Sequence, residues 1–293
     1  MLWSARAAIP GAVVTTGRPH VTTILGIDAA WTPTEPSGAA LIRCHGAQVA
    51  CLCVAPSYRS FVAAVGGAPV NWNARPSGSA PDAAALLAAA EAMAGAEVDV
   101  VAIDMPVSTV PLVGRRAAET EVSRRFGSRG CSTHSPLPDR PGPLGAALTN
   151  GFLRRGYTVA TVADHAGTAR RLLEVYPHVA LLALLRRSYR LPYKAGKSAT
   201  YWPLLSRSER VQKLLRRYQL IRDALSRELG ALPVALPEPG SRPTLSQLKR
   251  HEDALDALVC CWIGLLYAAG RASPLGDLTA AVWIPTTLLE PAG

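Results

Sequence analysis

Residues 21–31 read VTTILGIDAAW. The stretch is β-branched and apolar up to an isolated acid, Asp28, and predicts a strand that carries a carboxylate at its C-terminal end. A short apolar run at 39–44, a His45–Gly46 turn and a second run at 48–54 predict two further strands in an antiparallel meander. A Pro/Gly/Ser-rich loop at 66–81 follows. An alanine-rich helix then runs to about Met93, opened by Ser79-Ala80-Pro81-Asp82 with a Ser cap and Pro at the first helical position. Residues 97–103 (EVDVVAI) predict a short strand that ends at Asp104 and is stopped by Pro106.

From there helix and strand alternate. A basic helix is expected at about 114–126, an irregular segment at 127–143, and a helix from near Leu144. A strand at 171–175 (RLLEV) precedes two basic helices at about 178–190 and 204–229. After a Pro-rich linker (233–243), a long helix starts near Thr244 and runs through Gly270, and AVWIP (281–285) is a last strand. A meander followed by βα units predicts a mixed sheet flanked by helices. The strands ending at Asp28 and Asp104 are expected to be adjacent and parallel, with the 244–270 helix packed beside them. Residues 1–20 read as a flexible tail, and 21–293 as a single domain with a helical insertion at about 107–243.

Composition sets the class. The chain has 293 residues, 49% hydrophobic and 18% charged, which excludes a disordered chain and supplies a large core. The uncharged run Ala257 to Gly270 is too short for a bilayer and reads as a buried helix. The first twenty residues lack the uninterrupted apolar core of a signal peptide, so a cytoplasmic location is expected. Six cysteines without zinc-site or disulfide spacing are expected to be free, mostly buried thiols.

The acids carry the chemistry. A carboxylate at the end of an interior strand sits where α/β folds place their sites, although Asp also serves as a turn or helix cap. In HEDALDALVCCW (251–262), Asp253 and Asp256 are three residues apart and share one helix face, and Glu252 reaches the same face. Like charges at the mouth of a buried helix repel and are desolvated unless a cation compensates. Asp28, Asp104, Asp253 and Asp256 thus form a four-carboxylate set suited to Mg²⁺ or Mn²⁺, which take hard oxygen ligands. A pair of such ions can activate a water and stabilise the leaving oxygen of a phosphodiester. His251 adjoins the acids and is a candidate proton carrier.

GIDAAW, VVAIDMPVS, the Arg-rich helix, LLEVYPHVAL and HEDALDALVCCW together resemble the predicted nucleases of domain-of-unknown-function family 429, over about residues 22–286. The first and last motifs also look like the RuvC-type resolvase pattern. The resemblance implies an RNase H-like fold, here a mixed five-stranded sheet, and metal-ligand positions at Asp28, Asp104, Asp253 and Asp256. Glu174 and Glu252 are additional candidates. Where the family often has an acid after the proline of its Glu-x-x-Pro segment, this chain has His178.

The net charge is +10, and residues 186–217 hold nearly all of it, with ten Lys or Arg against the single acid Glu209. Arg186, Arg187, Lys194, Lys197, Arg216 and Arg217 there, and Arg115 and Arg116 earlier, are candidate phosphate contacts, interleaved with aromatics such as Tyr189 and Trp202. A solvated helix face is the plainer reading of the same stretch. The expected function is a Mg²⁺- or Mn²⁺-dependent nuclease acting on DNA or RNA. Two alternatives keep the fold. One is a nucleic-acid- or nucleotide-binding module without hydrolysis. The other, an actin/sugar-kinase-like phosphotransferase, is weakened because Asp28-Ala29-Ala30-Trp31-Thr32 lacks the glycine that a phosphate-cradling turn needs.

Overall fold

Apolar runs buried on both faces build β1 (Val21–Asp28) and β2 (Gly38–His45), which with β3 (Gln48–Ala55) form an antiparallel meander, the β2–β3 turn made by Gly46 at φ 60°. The structure is a computed structural model that describes residues 21–290 apart from Arg75 and Pro239; the segment 1–20, expected to be a tail, lies outside the described residues. After α1 (Tyr58–Ala63) and α2 (Ala83–Ala94), β4 (Val100–Asp104) lies parallel to β1 in a register that sets Asp28 opposite Asp104. The chain continues through α3 (Ala117–Phe126), α4 (Gly142–Leu153), β5 (Thr158–Val159), β6 (Arg171–Val175), α5 (Pro177–Leu184), α6 (Ser198–Tyr201) and α7 (Arg207–Leu229). It ends in α8 (Leu245–Ala268), β7 (Ala272–Gly276) and β8 (Ala281–Pro285).

The sheet has eight strands rather than five, in the order β3-β2-β1-β4-β6-β8-β7 with β5 paired to β6. Two of the additional strands carry no sequence signal. β5 is two residues long, and β7 (ASPLG) contains Pro274, which a strand tolerates here because β7 is an edge. The segment 107–243 is accordingly not all helical, since β5 and β6 come from it. The α2 cap also differs: Asp82, not Ser79, caps the helix by accepting the Ala85 amide at 3.0 Å, and the helix begins at Ala83.

Strand alternation divides the core between two layers. Leu25, Ile27, Val101 and Ile103 pack with α2 and α4 on one face. Ile24, Val100 and Ala102 pack on the other face against α8, which is buried nearly all round from Leu248 onwards. Two glycines permit that close approach. A Cβ at Gly26 would lie 2.2 Å from the carbonyl oxygen of Ala257, and one at Gly38 would lie 2.2 Å from that of Asp253. All six cysteines are free, and burial pushes the Cys44 thiol up to about 11. No helix among the described residues is long and apolar enough to cross a membrane.

Candidate active site

Asp28 and Asp104 close their strands side by side, and period-two alternation turns both side chains toward the α8 face that Ile24 and Ala102 occupy. Gly38 stands level with Asp28 on the other neighbouring strand, and over it lies the backbone of Asp253. The close packing permitted by Gly38 therefore brings Asp253 beside Asp28. The three aspartates line a cleft of about 310 Å³ with Trp31, Glu35, Arg140 and Lys249. Arg140 lies over the Trp31 ring, 5.6 Å from its centroid.

The α8 face is a helical stripe: Lys249, Glu252, Asp253 and Asp256 follow i, i+3, i+4, i+7 spacing. Thr244 caps the helix and exchanges bonds with Gln247, so the acids lie within the helix rather than in a solvated first turn. Asp256 is fully buried, with Oδ1 accepting from the Tyr193 hydroxyl at 2.7 Å and Oδ2 from Lys194 Nζ at 2.5 Å. Glu252 accepts the Ala195 amide at 2.6 Å and pairs with Lys249 at 3.2 Å and Lys194 at 3.5 Å. Lys249 also pairs with Oδ1 of Asp253, while Oδ2 of that buried carboxylate has no partner among the described residues. Neither Asp28 nor Asp104 receives a side-chain hydrogen bond or ion pair from another described residue.

Electrostatics follows this geometry. Burial, reinforced by the charge of Asp28, pushes the Asp104 carboxyl well above the usual range. Burial likewise raises Asp253 well above it, against the opposing charge of Lys249. Asp256 is raised only to about 6, because Lys194 counters its burial. Burial also works against Glu252, but Lys194 and Lys249 outweigh it and hold that carboxyl below its usual value. Among the described residues, no three His, Cys, Asp or Glu side chains stand in a ready-made metal-ligating cluster.

The structure separates the other candidates. Glu174 is not in the cleft: it pairs with Arg116 at 2.7 Å and accepts the Val107 amide at 2.9 Å. Arg116, expected to meet phosphate, is instead held internally by Glu174 and Glu119 and donates to the Val107 carbonyl at 2.7 Å. Lys194 is likewise turned inward to Asp256 and Glu252 rather than toward a ligand. Arg115 is exposed and donates to the Glu119 carbonyl and the Ser123 hydroxyl. Arg186, Lys197 and Arg216 are exposed, and Arg187 and Arg217 half-buried. His251 faces away from the acids: its ring stacks on Trp72 at 5.0 Å, and burial followed by the charge of Arg250 pushes it down to about 4. His178 is buried with Nε2 at 2.5 Å from an Arg190 nitrogen, and burial keeps it well below its usual value.

Two residues of the site escape a reading of the sequence. Lys249 has a local signal, as the i−4 partner of Asp253 and the i−3 partner of Glu252. The Tyr193 contact to Asp256 spans 63 residues and has none.

The sequence profile of the family described as "Protein of unknown function (DUF429)" matches residues 26–280, which include all four aspartates. Comparison with curated proteins and with solved structures gave no match. The profile spans most of the chain, from the end of β1 through β7, and the chain belongs to the DUF429 family.

Proposed function

We propose that this protein is a Mg²⁺- or Mn²⁺-dependent phosphodiesterase acting on nucleic acid, built on an RNase H-like core. The meander followed by the parallel strands β1, β4 and β6 supports the fold reading. The observation that carries the functional reading is that Asp28 and Asp104 share the cleft with Asp253 without a side-chain hydrogen bond or ion pair from a described residue, while the buried Oδ2 of Asp253 has no partner among the described residues.

Hard anionic oxygens, two at strand ends and one on α8, without sulfur or imidazole among them, are the donor chemistry that Mg²⁺ and Mn²⁺ select. Asp28, Asp104 and Asp253 would hold the cation. Asp256 fits less well than its sequence position implies, because Tyr193 and Lys194 occupy both its oxygens. Its role in this reading is to fix Lys194 beneath the cleft. When bound, the cation supplies a water of lowered pKa and neutralises charge on the phosphoryl group. Arg140 and Lys249 place positive charge at the cleft wall, where a phosphate needs it, and Trp31 offers an aromatic surface beside them.

A second reading, nucleic-acid binding without hydrolysis, is favoured by the two lysines that already neutralise Glu252, Asp256 and one oxygen of Asp253. Titration calorimetry with Mg²⁺ and Mn²⁺, run beside cleavage of labelled single- and double-stranded DNA, RNA and hybrids, separates the two. Binding with cleavage that Asp28→Asn abolishes is the expected result. No divalent binding at millimolar concentration would replace the hydrolase with the binding module.

A further inference from the structure

A groove of about 1000 Å³ opens between the end of α5, the turn that follows it, the last turns of α7, the C-terminal part of α8 and the end of β8. Arg129, Arg186, Arg187, Arg227 and Arg271 line it, against the acids Glu228 and Glu290. None of these five guanidinium groups pairs with a carboxylate among the described residues, whereas Arg116, Arg124, Arg125, Arg170, Arg171 and Arg222 all do elsewhere. One of the two acids is partly engaged, since Glu228 accepts the Trp262 indole N–H at 3.3 Å.

The turn is built to present these cations. Arg129 donates to the carbonyls of Ser188 at 3.0 Å and Arg187 at 2.7 Å, pinning the turn to the segment after α3. Arg186 adopts φ 49°, a left-handed conformation that few residues other than glycine take up. The positive surface continues onto α7 through Arg216 and Arg217, and burial together with the charges of Arg187 and Arg216 pushes the Arg217 guanidinium down. Gathering like charges opposes folding unless an anion offsets it.

We propose that this groove binds the phosphodiester backbone of a nucleic-acid strand, at a site separate from the carboxylate cleft. Guanidinium forks match phosphate oxygens in pairs, and the forks of Arg186, Arg227 and Arg271, which no described residue engages, suit an anion with repeated charges rather than a single one. Half-buried Leu184 and Leu185 and exposed Leu220 give the trough apolar surface against which sugars and bases can lie. Leu266 lies about 20 Å along α8 from Asp253 at 1.5 Å rise per residue, so phosphates held here are not those at the cleft. Binding in the groove requires neither a cation nor hydrolysis and does not depend on the cleft's chemistry.

The test is fluorescence anisotropy of a labelled single-stranded oligonucleotide at several salt concentrations, in EDTA so that cleavage cannot contribute. Arg186→Ala/Arg227→Ala/Arg271→Ala changes three exposed side chains and is expected to raise Kd at least tenfold. It should also reduce the salt slope by about 2, at about 0.7 for each phosphate of a single strand that the variant no longer neutralises. Arg124→Ala/Arg125→Ala on the exposed face of α3 should leave Kd and slope as in the wild type. Each single replacement, made separately, should weaken binding in the same direction, which guards against a triple variant that misfolds. Unchanged Kd and slope in the folded triple variant would overturn the proposal. So would displacement of the strand by poly-glutamate as effectively as by unlabelled oligonucleotide, which would make the groove a site for acidic protein.

Discussion

Asp28 and Asp104 stand level with each other as the last residues of adjacent parallel strands, and both face α8. The relationship is a property of the backbone register and does not depend on either side chain. Two carboxylates so placed are mutually destabilising, and Asp28 accordingly pushes the Asp104 carboxyl upward, beyond what burial does. A fold that places such a pair in register gains no stability from it, which directs attention to function.

Gly38 controls the third member of the site. Its hydrogen leaves room for the Asp253 carbonyl, which a Cβ would approach to 2.2 Å, a backbone clash that no side-chain rotation relieves. Gly38→Ala should destabilise the protein by about 1–3 kcal/mol through overpacking, read as a lower midpoint in urea. It should also lift α8 away from β2, so divalent binding at Asp253 should weaken more than the loss of stability accounts for.

Arg116 and Glu174 clamp the chain just beyond Asp104. Glu174 accepts the Val107 amide and Arg116 donates to the carbonyl of the same residue, so both backbone groups of Val107 are fixed by one ion pair. Arg116→Met leaves Glu119 and Glu174 buried without their cation and should cost about 3–5 kcal/mol of unfolding free energy. Arg116→Lys should rescue little, because one ammonium cannot reproduce the planar fork that serves Glu119, Glu174 and Val107 together. Adding Glu174→Gln to Arg116→Met should recover part of the loss by removing one of the orphaned charges.

His251 sets a pH dependence of its own. Its folded value is depressed from the ordinary 6.5 to about 4 by burial against Trp72 and by Arg250. A depressed histidine contributes stability that is complete above its unfolded value and is lost as pH falls from about 6.5 toward 4. The full loss is of order 3 kcal/mol for this 4%-exposed side chain. Urea midpoints measured between pH 7 and 4 should fall in wild type and flatten in His251→Gln, and the imidazole resonance should titrate near 4. A resonance titrating near 6.5 would contradict the buried stack.

Much of this is legible from local pattern. β-branched runs ending in isolated aspartates mark β1 and β4, and the Thr244 cap with a long apolar run marks α8 almost to the residue. The parallel pairing of Asp28 with Asp104 also follows from the meander-then-βα order. What the sequence conceals is long-range. Arg116 has a local partner in Glu119, but that pair reads like any i,i+3 surface pair, and Asp256 and Glu174, which turn Lys194 and Arg116 inward, lie 62 and 58 residues away. Similarly, the arginine groove draws on four separate segments, so that a count of charge along 186–217 finds only Arg186 and Arg187 of its five.

Asp28 and Asp256 should respond to the same substitution in opposite directions. In metal-free protein Asp28 has no cationic partner among the described residues, and its charge raises the carboxyls of Asp104, Asp253 and Asp256. Asp28→Asn should therefore leave stability unchanged or raise it, because repulsion is relieved and no ion pair is broken. Sequence alone predicts the same for Asp256→Asn, and the structure reverses that expectation. The Asp256 carboxylate holds Lys194 Nζ at 2.5 Å and the Tyr193 hydroxyl at 2.7 Å, and only Glu252, at 3.5 Å, would remain to pair the lysine. Removing one partner of a buried pair costs about 3–5 kcal/mol, so Asp256→Asn should lower the melting temperature clearly. Lys194→Met in the same background should restore part of it, since the uncompensated ammonium is then gone. Added Mg²⁺ or Mn²⁺ should raise the melting temperature of wild type, as any ligand that prefers the folded state does, and should fail to do so for Asp28→Asn. Differential scanning calorimetry of the four proteins with and without metal reads all of these at once. Equal effects of the two Asn substitutions without metal would mean that Lys194 does not depend on Asp256 for its compensation.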